Sequence, residues 1–208
     1  MTKIKLCGMT RPEDVEAANR CRPDFIGFVF ASSRRQVTPE QAAWLRARLA
    51  PGIRVAGVFV NAPLEQIEEL WKEKVIDLVQ LHGDEDNNFL KKLKERVQAP
   101  VIRAVRVQTA EQVVQAEQTA CDALLLDAAA AGQYGGSGRR FDLSLIPPLQ
   151  KPFFVAGGLD ESNMIQVIKR CRPWGVDVSS GIETDGKKDP EKMARLVRLV
   201  REEGKEEI

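Results

Sequence analysis

Asp127 closes a short apolar run, Leu124-Leu125-Leu126, and is followed by a loop with three glycines in four residues, Gly135-Gly136-Ser137-Gly138, that leads to Phe141-Asp142. A run of that kind fits a strand buried on both faces, and a carboxyl at its end sits where the backbone turns to solvent. There it can donate a proton, or it can simply cap a turn. The glycine loop can curl and bring bare N–H groups to an anion, or it can serve as a linker. Other apolar runs end in a comparable way, at Cys7-Gly8, Phe30 with Arg34-Arg35, Val60-Asn61, His82-Gly83, Arg103, Gly157-Gly158 and Ser179-Ser180-Gly181. A thiol such as Cys7 acts as base or nucleophile only as thiolate, whose ordinary pKa is about 8.5. Cys7 is an inert core thiol or, with Lys5 two residues back on the same face of the strand, an activated one. Cys21, Cys121 and Cys171 lie at helix ends or before a strand and read as core filler; with no C-x-x-C pair the four cysteines suggest free thiols, not zinc or disulfides. His82 is the single histidine, so no mechanism can use two, and a Ser-His-Asp triad would have to use this one.

These residues need elements to hold them. Strands are expected at Ile4–Cys7, Phe25–Phe30, Arg54–Val60, Leu78–Leu81, Val101–Val105, Ala123–Asp127, Phe153–Ala156 and Val176–Val178. Helical sequence follows nearly every one. Thr10-Arg11-Pro12-Glu13, Thr38-Pro39-Glu40 and Asp189-Pro190-Glu191 carry capping and Pro signals for helix starts. The third helix shows Leu64, Ile67, Trp71 and Val75 on one face, and only a short helix fits between Leu143 and Pro147. The charged tail from Glu202 is expected to fray. Eight strands at intervals of about 21 to 30 residues predict a single (β/α)8 TIM barrel over residues 1–208, rather than an open sheet. Cys21-Arg22-Pro23 and Cys171-Arg172-Pro173 read as two equivalent helix ends with a Pro stop and a strand entry. In such a barrel the C-terminal strand ends share one face. Gly157-Gly158 and Ser179-Ser180-Gly181 then fall after strands seven and eight, where loop backbone commonly grips a phosphate.

Composition narrows the partners. With 31 Lys plus Arg against 30 Asp plus Glu there is no global field for nucleic acid or an anionic membrane, so an anion must be bound locally. No apolar stretch approaches the roughly 20 residues of a membrane span, and the N-terminus lacks the apolar core of a signal peptide. A cytoplasmic protein is expected.

The ordered series Lys5-Leu6-Cys7-Gly8-Met9-Thr10, Gly27-Phe28-Val29-Phe30, Gly57-Val58-Phe59-Val60-Asn61, Gln80-Leu81-His82-Gly83, Leu125-Leu126-Asp127, Tyr134-Gly135-Gly136-Ser137-Gly138, Gly157-Gly158-Leu159 and Asp177-Val178-Ser179-Ser180-Gly181-Ile182-Glu183 resembles the phosphoribosylanthranilate isomerases of tryptophan biosynthesis over nearly the whole chain. Ala128 stands where a Thr is frequent and Ala156 where a Ser is frequent, and Ser33-Arg34-Arg35 lacks a common Pro. The resemblance implies an Amadori rearrangement of N-(5-phosphoribosyl)anthranilate, with Asp127 as acid and Cys7 as base. It implies substrate contacts from His82, Gly157, Gly158, Ser179, Ser180 and Gly181, with Arg35 or its neighbour Arg34 on the anthranilate carboxylate. Arg35 is the expected ligand, because a guanidinium matches a carboxylate bidentately. No metal or cofactor is implied; the partner is a phosphorylated small molecule and the state a monomer or homodimer. A ribulose-phosphate epimerase would share the fold but ordinarily needs a metal held by His and Asp. A non-catalytic phosphosugar binder would not need an acid and a thiol on opposing strands.

Overall fold

The computed structural model describes residues 1–128 and 142–204; the glycine loop with Tyr134 and Gly135-Gly136-Ser137-Gly138, Phe141, and the last four residues lie outside the described part. Eight parallel strands close into a barrel in chain order: β1 (Lys3–Cys7), β2 (Phe25–Val29), β3 (Arg54–Phe59), β4 (Leu78–Leu81), β5 (Val101–Val107), β6 (Ala123–Ala128), β7 (Phe153–Val155) and β8 (Gly175–Val178). The seam is β8 against β1, in a register that sets Lys5 opposite Asp177. Between strands run α1 (Pro12–Cys21), α2 (Pro39–Arg46), α3 (Leu64–Lys72), α4 (Asn87–Arg96), α5 (Ala110–Glu117) and α6 (Met164–Cys171), and α7 (Pro190–Glu203) ends the chain. A 3-10 turn, Leu143–Leu145, precedes β7, and a second one, Ser180–Ile182, follows β8. This is the expected (β/α)8 barrel.

Local chemistry explains the helix ends. Thr38 accepts a hydrogen bond from Gln41 N and Asp86 one from Phe89 N, each with its side-chain oxygen on an otherwise orphan amide. At α1 the cap is built differently from the simple Thr10 signal: buried Asp14 reaches back to accept from Thr10 N and Arg11 N, both at 3.0 Å. Arg22 and Arg172 end α1 and α6 with φ of 54° and 45°, each donating its amide to the carbonyl four residues back. The following prolines cannot continue a helix, so the paired Cys-Arg-Pro segments are indeed equivalent stops.

Alternation along the strands sorts two cores. Outward side chains join the helices in one large cluster; inward ones, Phe25, Ala56, Leu78, Ile102, Ala123, Leu125, Phe154 and Ala156, form a second cluster inside the barrel. Its lower end is aromatic. Ring centroids of Phe25 and Phe154 lie 5.9 Å apart, and Trp174 packs edge-on against Phe154 at 5.1 Å. Gly175 permits this, since a Cβ there would come within 2.5 Å of the Phe154 ring.

Three details differ from the sequence reading. β5 runs on to Val107, so Arg103 lies mid-strand and Arg106 is the arginine near its end. α3 buries Ile67 and Leu70, and Val75 falls beyond it, because Lys74 turns left-handed at φ 58°. Glu202 and Glu203 do not fray: both are helical, and buried Glu203 lies 3.5 Å from Lys169. Among the described residues no helix is long and apolar enough to cross a membrane.

Candidate active site

A cavity of about 480 Å³ opens at the C-terminal ends of the strands, lined by residues that include Cys7, Arg35, His82, Asp127, Gly157, Gly158, Ser179 and Ser180. That size suits a small molecule. Cys7 is the last residue of β1, and its sulfur has room because β2 carries Gly27 beside it: a Cβ at that position would lie 2.7 Å from Sγ. Below it on the same inward row, Lys5 is fully buried and its Nζ donates to Asp177 Oδ1 at 2.9 Å. Burial pushes the Cys7 thiol up, Lys5 and Lys188 pull it down, and Asp177 adds to the rise; the balance is upward. Burial alone would lower Lys5, but the charges of Asp177 and Cys7 outweigh it and raise it.

Beside Cys7 a small hairpin, β9 (Glu183–Thr184) and β10 (Lys187–Lys188), turns through Asp185 and Gly186, both at positive φ. The Asp-Gly pair is the usual signal for such a turn. It brings Glu183 to a convergence of three cations: Arg35 Nε at 2.6 Å, Arg34 Nη2 at 2.7 Å and Lys188 Nζ at 2.8 Å. Burial opposes ionisation of Glu183, yet the hydrogen bonds and charges of Arg35 and Lys188 hold its carboxyl down at about 2. Burial in turn lowers Lys188 despite Glu183. Arg35 lies over Gly8, whose φ of 82° and missing Cβ let the side chain cross the barrel mouth. Arg34 is mostly exposed and outside the cavity lining, whereas Arg35 is largely buried and within it. Arg35 spends two of its five N–H donors on Glu183.

Across the cavity, His82 follows β4 and its Nε2 lies 3.3 Å from Asp127 Oδ2 near the end of β6. The pair is not hydrogen-bonded. His82 Nε2 and Gln80 Oε1 are buried with no hydrogen-bond partner among the described residues, and both side chains line the cavity. Arg106 donates to the His82 carbonyl at 3.1 Å, tying β5 to the loop that carries the histidine.

The two glycine loops meet. Gly157 and Gly158 are both left-handed, at φ 87° and 62°, which turns the chain sharply after β7. Gly181 packs so closely on that loop that a Cβ would sit 1.9 Å from Leu159 O. Gly181 therefore joins the loops and is not itself part of the cavity lining. Ser179 Oγ donates to Cys7 O at 3.2 Å, tying the second loop to β1. The remaining wall is mixed: Phe30, stacked on Phe59 at 5.2 Å, lines it with Val60, Ala62 and Pro63, and Ser32, Ser33, Asn61 and Gln66 add polar groups.

The structure thus gathers eight of the nine sequence-derived site residues around one cavity, with Gly181 immediately behind. Sequence reasoning passed over the Lys5–Asp177 pair, Gln80 and the Glu183–Lys188 cluster. A lysine and a glutamine inside otherwise apolar strands, and Asp185-Gly186, were the available signals. Among the described residues no three His, Cys, Asp or Glu side chains are grouped to hold a metal ion.

Comparison with known proteins is consistent with this geometry. The family model for N-(5'phosphoribosyl)anthranilate (PRA) isomerase matches residues 4–199. An N-(5'-phosphoribosyl)anthranilate isomerase of Endomicrobium trichonymphae is 43% identical over 97% of this chain and 99% of its own. The crystal structure of the Thermotoga maritima phosphoribosyl anthranilate isomerase superposes with a TM-score of 0.86 at 33% identity, covering 97% of this chain and 100% of that one. A phosphoribosyl anthranilate isomerase in complex with reduced 1-(o-carboxyphenylamino)-1-deoxyribulose 5-phosphate gives 0.83 at 32% identity, with 97% and 100% covered. A full-length match of sequence and of barrel places the chain in the N-(5'-phosphoribosyl)anthranilate isomerase family, the isomerases of tryptophan biosynthesis.

Proposed function

We propose that the chain, acting as one catalytic domain over residues 1–208, converts N-(5-phosphoribosyl)anthranilate to 1-(2-carboxyphenylamino)-1-deoxyribulose 5-phosphate with Asp127 as acid and Cys7 as base. Asp127 gives its proton to the furanose ring oxygen; the C1–O bond breaks and the nitrogen lone pair forms the C1=N iminium. The Cys7 thiolate then takes the C2 proton. The C2–H electrons form a C1=C2 bond while the C1=N pair returns to nitrogen, giving an enolamine. Ketonisation adds a proton at C1 and removes the one on the C2 hydroxyl, so both groups are reset without a cofactor. The iminium is itself the electron sink.

The observation that carries this reading is a carboxyl and a thiol, from β6 and β1, lining the same cavity as two joined glycine loops. In it the substrate phosphate lies on the backbone of Gly157, Gly158, Ser179, Ser180 and Gly181, and the anthranilate carboxylate on the free donors of Arg35. His82 Nε2, beside Asp127, and Gln80 Oε1, both buried without a hydrogen-bond partner among the described residues, then bond to the substrate's own polar groups. The enzyme works in the cytoplasm on a free phosphorylated small molecule, as a monomer or homodimer, with neither nucleic acid nor membrane as partner. Turnover of phosphoribosylanthranilate, followed as loss of its fluorescence, tests the reaction. A purified chain that binds the product analogue and leaves the substrate fluorescence unchanged would refute it.

A further inference from the structure

Lys5 heads the fully buried side chains by volume among the described residues, and no proton transfer of the reaction above passes through it. We propose that Lys5 is a positioning residue, the counter-ion of the Cys7 thiolate, and that Asp177 across the β1–β8 seam sets how much of its charge reaches the sulfur. The proposal rests on reading Cys7 as the base. Lys5 and Cys7 occupy the same inward row, two residues apart, and the register holds Asp177 opposite Lys5 with a 2.9 Å hydrogen bond. A buried ammonium with no anion beside it would lose its proton; Asp177 and, once ionised, Cys7 are the two groups whose charge keeps Lys5 protonated. One cation is thereby shared between two anions, the carboxylate always and the sulfur when it ionises.

Each element packed around the sulfur contributes to its field. β1 supplies Lys5, β8 supplies Asp177, and β10 supplies Lys188, whose Nζ is occupied by Glu183 and by Ser179 O at 2.9 Å. Arg35 crosses Gly8 from the loop after β2, largely neutralised by Glu183. β2 itself presents only Gly27. Lys5 is thus the cation nearest along the strand, and its effect on the sulfur works against both burial and Asp177.

The two partners should therefore act on Cys7 in opposite directions. The test is the pH profile of iodoacetamide alkylation of the full chain, read on the Cys7 peptide by mass spectrometry, with the Cys21 and Cys171 peptides as internal controls. Asp177→Asn leaves the sulfur as the one anion paired with Lys5, so the thiolate and the ammonium stabilise each other and alkylation of Cys7 at pH 7 should rise about tenfold. Removing Lys5 alone strands a buried carboxylate and endangers folding, so the second variant is the neutral pair Lys5→Met with Asp177→Asn. There alkylation should fall about tenfold below wild type, the profile moving to higher pH. A merely structural pair would loosen the barrel and move both variants the same way. That result, or no movement in either, overturns the proposal. Failure of the base reading is separate: it would appear as a Cys7→Ser enzyme with wild-type kcat, whatever the alkylation profiles show.

Discussion

Replacing Glu183 by Gln removes the one anion on which Arg34, Arg35 and Lys188 converge. The carboxyl sits at about 2 against an ordinary 4.5. At about 1.36 kcal/mol for each tenfold change in ionisation, that depression is at most roughly 3 kcal/mol of folding free energy at neutral pH, and solvent screening of the partly exposed cluster lowers it. The mostly exposed Arg34 adds little to it, because solvent and salt screen its charge. A depressed carboxyl contributes stability that is complete above the unfolded-state value and is lost as pH falls toward the folded one. The Glu183→Gln deficit in urea unfolding should therefore be about 2–3 kcal/mol at pH 7 and shrink to about half of that at pH 3, where wild type has itself begun to lose the interaction. KM should rise with it, since Arg35 loses the fork that holds it across the mouth, while kcat changes less. A deficit of the same size at both pH values would show that the ionised carboxylate is not its source. A deficit below about 0.5 kcal/mol would reduce the cluster to an ordinary surface pair.

Cys7→Ser and Asp127→Asn should each lower kcat by about 10²- to 10⁴-fold with substrate binding retained, and only the first should act on the step that shows a C2-deuterium effect; a Cys7 variant with near wild-type kcat removes the thiol from the mechanism. Arg35→Ala should raise KM far more than Arg34→Ala, because only Arg35 lines the cavity; equal, small effects would return both to surface roles. Gly181→Ala forces a methyl to within 1.9 Å of Leu159 O, backbone that cannot swing aside. It should cost about 1–3 kcal/mol in stability and weaken product binding by at least tenfold, measured by calorimetry. A dephosphorylated product analogue should lose more than the roughly 1.5–3 kcal/mol of one charge-assisted hydrogen bond, and equal binding of the two forms would free the glycine loops of that task.

Most of the barrel was legible because its signals are local. Each strand is a short apolar run, the helix starts carry Pro12, Pro39 and Pro190, and catalytic candidates fall where those runs stop. The failures have a common physical origin in contacts that sequence spacing does not encode. Arg103 was placed with the strand ends, yet β5 continues past it to Val107 and Arg106 takes that place. Glu202 and Glu203 looked like a solvated tail, but pairing of Glu203 with Lys169 keeps the last turn of α7 in place. Gly181 was legible as part of a phosphate loop, but that its missing side chain also lets this loop close on Leu159 was not. The convergence on Glu183 joins residues nearly 150 positions apart, and no periodicity could announce it.

The aromatic floor made by Phe25, Phe154 and Trp174 closes the lower end of the barrel, so among the described residues the cavity opens at the strand C-termini. A ligand that comes in by that mouth leaves by it as well. A cavity of about 480 Å³ holds one small molecule at a time. Each turnover must therefore empty the cavity before the next begins, and accumulated product obstructs the enzyme merely by standing in the entrance.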